Sequence, residues 1–274
     1  MIRLIAADLD QTLFGNDLIV SPRVRAALNQ AQKAGVILTI ATGREAAVAT
    51  RFARELNVTA PIICTQGACI YDFIHDRVLR NETLAPDLVP RMIDAAQPHG
   101  WNFHFEMSNC LYLPLHSNHP PAFFELLRYS KWVRVDDLAG ALKEGPHKMV
   151  VTLNHAEDRP RVIREMTESL GHEVTIVPSH PFLVEALPAG VDKGHALAWL
   201  ADHLNIAQAE VMALGDSNAD IPMLKWAGTG VAMQNGSPEA KAAANWIAPS
   251  LAEDGAAVAI EKFVLHIDGS DPRQ

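Results

Sequence analysis

Over the first eighty residues, short apolar runs alternate with stretches of helical periodicity. Residues 3–9 form a run apolar on both faces, the pattern of a strand buried in a parallel sheet. Ser21-Pro22 then places a capping hydroxyl ahead of a proline at the first helical position. Val24, Ala27, Leu28, Ala31 and Ala34 follow at helical spacing, and Gly35 ends the helix. Residues 36–41 predict a second buried strand, and Thr42-Gly43-Arg44 turns into a helix reaching about residue 56. A third strand is expected at 61–64 and a hairpin over 70–79. Strands interleaved with helices at this spacing predict βαβ units and a parallel sheet.

The last third repeats the pattern. Helices are predicted at 192–204 and 217–226, from Ser237-Pro238, and at 253–265; strands are predicted at 210–214 and 229–233. Residues 268–274 read as a polar tail expected to fray. The middle differs: a helix at 86–97, strands at 101–106 and 110–113, then a strand at 148–153, a helix at 159–170 and strands near 174–177 and 182–185. Helix-strand-strand thus occurs twice, which predicts an α+β module with an antiparallel sheet. The expected fold is α/β, a Rossmann-like parallel-sheet core with an inserted α+β cap domain. Residues 1–82 and 190–274 would form the core and 83–189 the insert.

Composition narrows the function classes. With 49% hydrophobic and 20% charged residues in 274, the chain has globular composition rather than that of a disordered segment. Lys+Arg 23 against Asp+Glu 32 gives a net charge of −9, which argues against a nucleic-acid partner. Excess carboxylate leaves a solubilising surface or a cation site. No apolar stretch approaches the roughly 18–20 residues of a membrane span, and Asp8 and Asp10 break the apolar start that a secretory signal would need. Cys64, Cys69 and Cys110 lack CxxC spacing and read as small buried residues. A cytoplasmic protein without a membrane partner is expected; oligomeric state stays open.

The candidate chemistry sits where predicted strands end. Asp8-Leu9-Asp10-Gln11-Thr12 puts two carboxylates directly after a buried strand, at the sheet edge where open α/β sheets collect ligands. Buried charge there is costly unless something neutralises it. Gly215-Asp216-Ser217-Asn218-Ala219-Asp220 repeats the arrangement after residues 211–214. Each pair could simply cap a helix or turn. Four carboxylates converging on one edge would instead require a hard cation, and few protein ligands with retained waters fit Mg2+. Thr42-Gly43 offers a hydroxyl and free backbone N–H groups for an anion. Lys193, opening a helix in Val191-Asp192-Lys193-Gly194, is either a solvated charge or a phosphate ligand and carboxylate partner. Together these groups describe a phosphoryl-transfer site.

These motifs resemble the haloacid dehalogenase-like hydrolases, particularly the Cof-type phosphatases with an inserted α/β cap (subfamily IIB). Asp8-Leu9-Asp10-Gln11-Thr12-Leu13 resembles their first motif, Ala41-Thr42-Gly43-Arg44 the second, Lys193-Gly194 the third and Gly215-Asp216 through Asp220 the fourth. Gly230 to Asn235 and Glu253-Asp254-Gly255 resemble segments that follow in the subgroup. The resemblance implies that Asp8 is the nucleophile and forms an aspartyl-phosphate. Asp10 would protonate the leaving oxygen and then activate water. Thr42, Gly43 and Lys193 would bind the phosphoryl group. Mg2+ would be held by Asp8, the Asp10 carbonyl and Asp216, with Asp220 supporting the metal or Lys193.

The partner so implied is a small phosphorylated metabolite, sugar phosphates first, with the insert closing over the core to expel water. Gln11 stands where the subgroup usually has Gly, Gln66 where Asn is typical, and Ala219 where Asn is usual. Those departures touch rate and preference more than reaction class. Transfer to a sugar hydroxyl, or phospho-ligand binding without turnover, are the alternatives on the same scaffold.

Other patterns are weak. There is no GxSxG elbow and no P-loop. His116 and His119 precede Pro120-Pro121 without an acidic third ligand, so surface or substrate-facing histidines are expected. Trp101, Phe103 and Phe105 alternate with Asn102, His104 and Glu106. The aromatic face is expected in the core and the polar face in solvent, with a substrate-facing role as the alternative.

Overall fold

The computed structural model describes residues 1–127 and 129–267. The polar tail expected at 268–274 lies outside them. In chain order the first segment holds β1 (Leu4–Ala7), α1 (Pro22–Lys33), β2 (Ile37–Ile40), α2 (Ala46–Glu55), β3 (Ile62–Cys64), β4 (Cys69–Asp72) and β5 (Arg77–Asn81). The middle holds α3 (Leu88–Ala96), β6 (Asn102–Glu106), β7 (Leu111–Pro114), α4 (Pro121–Leu126), β8 (Trp132–Val135), α5 (Leu138–Ala141), β9 (Lys148–Thr152), α6 (Arg159–Leu170), β10 (Val174–His180) and β11 (Leu183–Pro188). The chain ends through α7 (Lys193–His203), β12 (Val211–Gly215), α8 (Ile221–Trp226), β13 (Thr229–Met233), α9 (Pro238–Ala243), β14 (Trp246–Ala248) and α10 (Gly255–Phe263).

The first and last segments share one parallel sheet, ordered β14-β13-β12-β1-β2. Its strands are short and apolar because helices cover both faces. Ile5, Leu38, Met212 and Val231 pack into one apolar cluster, and Leu4, Ala6, Val211 and Ala213 into the other. Helix α1 shows the local logic. Ser21 Oγ accepts the Val24 N–H, Pro22 opens the helix, and Val24, Ala27, Leu28 and Ala31 are buried. Ala34, expected on that face, is exposed because it is the C-cap residue. A small antiparallel sheet, β3-β4-β5, continues from the core through the bridge Ala41↔Ile63.

The middle segment forms a six-stranded sheet, β10-β11-β9-β6-β7-β8. It is not wholly antiparallel as expected: β7 and β8 run parallel, joined by a crossover that contains α4. Helices α3 and α6 cover one face, burying Phe103, Phe105, Met149, Val151 and Val184. The opposite face looks toward the end of the parallel sheet where β1 and β12 terminate. Among the described residues no helix is long and apolar enough to cross a membrane.

Candidate active site

β1 and β12 are neighbours, with Ala7 opposite Leu214, so Asp8 and Asp216 leave the sheet side by side. The Asp8 N–H still donates to Leu214 O at 2.9 Å, holding Asp8 in strand register although its side chain is charged and 5% exposed. Asp192 caps α7 by accepting the His195 N–H at 2.7 Å, which sets Lys193 at the helix start. Its ammonium lies 2.7 Å from Asp8 Oδ1 and 2.6 Å from Asp220 Oδ1. The other Asp220 oxygen accepts from the Asp216 N–H, the Ser217 N–H and Ser217 Oγ. Asp220 therefore braces both Lys193 and the loop that carries Asp216. A Cβ on Gly215 would lie 2.5 Å from Asp220 Cβ, so only glycine allows that approach. Thr12 Oγ1 donates to Asp216 Oδ1 at 3.1 Å.

Oxygens of Asp8, Asp216 and Asp220 lie within 4.8 Å of one another. Burial lifts the Asp8 carboxyl well above its ordinary range; Lys193 opposes this, and Asp220, Asp216 and Asp10 reinforce it. Asp216 is pushed up to about 7, by burial first and then by the Asp220 charge. Burial would lower the Lys193 ammonium, but Asp220 and Asp8 outweigh it and raise it. One lysine thus leaves the cluster under-neutralised. With Asp220 saturated by its own hydrogen bonds, Asp8 and Asp216 are the side chains able to hold a hard, oxygen-seeking divalent cation.

The loop after β2 faces this cluster. The Thr42 N–H donates to Ile63 O, Thr42 Oγ1 accepts the Arg44 N–H, and Gln66 N–H donates back to Thr42 O. Thr65 and Gln66 hold left-handed φ values of 51° and 57°, and a Cβ on Gly43 would meet Gln66 Nε2 at 2.5 Å. Gln11, where the resembled family usually has Gly, is likewise left-handed at φ 61°. Arg44 grips Asp10 through both oxygens, at 2.6 and 2.8 Å. Asn218 Oδ1 accepts from Ser237 Oγ, so it points away from the site and does not replace the amide missing at Ala219.

A cavity of about 190 Å3 lies between the two sheets. Asp8, Asp10, Gly43, Lys193 and Asp216 line it from the parallel-sheet side, and Glu106, Lys148, His180 and Glu185 from the other. Thr42 and Asp220 are completely buried and do not line it. The polar face of β6 was expected in solvent first and toward substrate second; His104 and Glu106 are instead 1% and 5% exposed, His104 packed against His119 and Phe123 and Glu106 lining the cavity. His119, expected at the surface or facing substrate, is 6% exposed and stacked on Phe123; His116 is exposed. Sequence reasoning assigned no role to Thr12, Arg44, Glu45, Lys148 or Glu185. Arg44 and Thr12 stood within quoted motifs, whereas Lys148 and Glu185 carried no local signal.

A parallel sheet bearing buried carboxylates and a lysine at the ends of its strands, faced there by a second sheet, defines an α/β protein with a covered acidic site. The sequence model of the haloacid dehalogenase-like hydrolases matches residues 5–260. YxeH of Bacillus subtilis, named as a candidate phosphatase, is 33% identical over 97% of this chain and 99% of its own length. The same organism's 5-amino-6-(5-phospho-D-ribitylamino)uracil phosphatase YcsE is 30% identical, with 96% of each chain covered. A haloacid dehalogenase-like hydrolase from Bacteroides thetaiotaomicron superposes with a TM-score of 0.83 at 27% identity, over 96% of this chain and 99% of that one. The chain belongs to the haloacid dehalogenase-like hydrolases, and YxeH and YcsE are both named as phosphatases.

Proposed function

We propose that this enzyme hydrolyses small organic phosphate monoesters, sugar phosphates among them, through a phosphoaspartate on Asp8 and with Mg2+ bound. The observation that carries the reading is the buried Asp8, held between Lys193 at 2.7 Å and the Asp216 loop on the floor of the cavity. A carboxylate oxygen of Asp8 attacks phosphorus, and the bond to the leaving oxygen breaks as Asp10 supplies that oxygen with a proton. Asp10 then takes a proton from the water that attacks phosphorus, which frees Asp8 and inorganic phosphate. Arg44 holds Asp10 by both oxygens, and one of those bonds opens to leave an oxygen free for each proton transfer. Lys193 and the Gly43 backbone bind phosphoryl oxygens, and Asp220 acts through Lys193. Thr42, expected among these ligands, instead braces their loop from behind by accepting the Arg44 N–H. Mg2+ held by Asp8, Asp216 and the Asp10 carbonyl would neutralise charge shared by the attacking carboxylate and the phosphoryl group.

Residues 83–189 serve in this reading as the cap that shuts the site from water. The small cavity supports a small ester, and YcsE, a relative named for a phosphorylated ribityl compound, supports the same class. Phosphate release from p-nitrophenyl phosphate is the test. Activity should require added Mg2+ and fall at least about a thousandfold in Asp8→Asn. Equal activity in that variant would overturn the assignment.

A further inference from the structure

The half of the cavity remote from Asp8 is walled by acids. Glu45 ahead of α2, Glu106 on β6 and Glu185 on β11 are each 5% exposed or less, with Lys148 on β9 as their cation. That ammonium is already committed. It donates to Glu185 Oε1 and to Gly43 O at 2.9 Å each, and Glu106 Oε2 lies 3.3 Å away. Arg44 is held by Asp10, and Lys193 by Asp8 and Asp220. The lysines and arginine among the described lining residues are thus all matched to carboxylates, and a second anion entering here would find no uncommitted lysine or arginine, only neutral donors such as Ser179 Oγ.

Acceptors, by contrast, are left over. Glu45 Oε1, Glu185 Oε2 and the amide oxygen Gln66 Oε1 are buried without a hydrogen-bond partner, on residues 3%, 3% and 5% exposed that line this cavity. Buried acceptors are rarely left unsatisfied, and three around one cavity call for a ligand that brings hydrogens. Burial raises the Glu45 and Glu106 carboxyls, with the Glu106 charge adding to the rise at Glu45. Ionised or protonated, each still offers a lone pair to a hydroxyl. Seating an anion beside them would first require a proton, a cost that a neutral polyol avoids.

We propose that Glu45 and Glu185 are specificity-determining residues that select phosphate esters whose leaving alcohol is rich in hydroxyl or ammonium donors and carries no second anion. The inference rests on the phosphatase reading above and narrows its substrate class. Two matched pairs test it. Sorbitol 6-phosphate and gluconate 6-phosphate differ by a hydroxymethyl against a carboxylate, and glucosamine 6-phosphate and glucose 6-phosphate by an ammonium against a hydroxyl. In the wild-type enzyme, kcat/KM for sorbitol 6-phosphate should exceed that for gluconate 6-phosphate by about tenfold or more. Glucosamine 6-phosphate should be used at least as well as glucose 6-phosphate. Glu45→Gln, which leaves the Lys148 contacts in place, and Glu185→Gln should each shrink the first ratio severalfold.

Asp8-dependent hydrolysis of p-nitrophenyl phosphate together with equal use of the sorbitol and gluconate esters would overturn the proposal and leave the phosphatase reading standing. A ratio unchanged in both folded variants would do the same. Absence of Asp8-dependent turnover of any ester would remove both. The wild-type ratios decide the matter even if neither variant folds.

Discussion

An ammonium group sealed from water needs opposing charge within reach, and Lys193 has it twice, from Asp8 and Asp220. The converse matters more, because those carboxylates are equally sealed. Lys193→Met should therefore cost about 3–5 kcal/mol of stability, the price of stranding buried charge, readable as a lower urea midpoint. On the proposed mechanism activity should fall about 10²–10³-fold, since Lys193 would bind a phosphoryl oxygen as well. An unchanged urea midpoint would contradict the pairing. Asp8, Asp10 and Asp216 were legible in the sequence because each follows an apolar run that must end at the edge of a buried sheet. Lys193 was legible only beside them, since a lone lysine at a helix start is equally at home in water. For Glu106 solvent was ranked ahead of substrate for a physical reason: alternation along β6 separates two faces but does not reveal that the polar one is covered and that Glu106 lines a cavity.

At the scale of elements, the close approach of α7 to the turn between β3 and β4 depends on Gly67. Its φ is +102°, and a Cβ there would lie 2.3 Å from Asp192 O, the residue that caps α7 and precedes Lys193. Gly67→Ala should lower stability by at least about 2 kcal/mol through strain and overpacking together. By pushing Asp192 aside it should also displace Lys193. A thermal melt alongside phosphatase kinetics would check both, and a variant indistinguishable from wild type in both would refute the contact. The strands of the parallel sheet were readable from short apolar runs, and the helices from Ser-Pro starts. Strands β8 and β14 were not foreseen. Trp132 and Val133 on β8 and Ile247 on β14 are exposed, and both strands lie at sheet edges, where half the apolar pattern is missing. The parallel pairing of β7 with β8 is set by a crossover, which local periodicity does not encode.

For the whole molecule, the histidines buried within the middle segment contribute a loss of stability in acid, against which the raised carboxyls of Asp8, Glu45, Glu106 and Asp216 work. His119 is pushed down to about 3, by burial first and then by His104 and Arg134. His104 falls to about 3 and His147 to about 4, again mainly through burial. In the unfolded chain each takes a proton near 6.5, so between that value and the folded one unfolding draws protons in. Their contribution is intact above about 6.5 and is lost progressively as pH falls toward 3–4. His119→Phe keeps the stack on Phe123 and removes one of these groups. Its urea midpoint should match wild type at pH 8 and decline less steeply between pH 6.5 and 4. Parallel declines would show that His119 is not among the groups responsible.

The contact from Lys148 to Gly43 O joins the second sheet to the loop after β2 of the first by a charged hydrogen bond of 2.9 Å. Separating the two sheets must strip that bond. A charge-assisted hydrogen bond contributes about 1.5–3 kcal/mol, which on its own would hold an open population to roughly 1–10%. A substrate arriving from solution would then meet a doorway that is closed most of the time, and product would leave at the same infrequent openings. On the proposed mechanism, traffic through the cavity then sets the pace of the cycle wherever bond cleavage is faster than these openings.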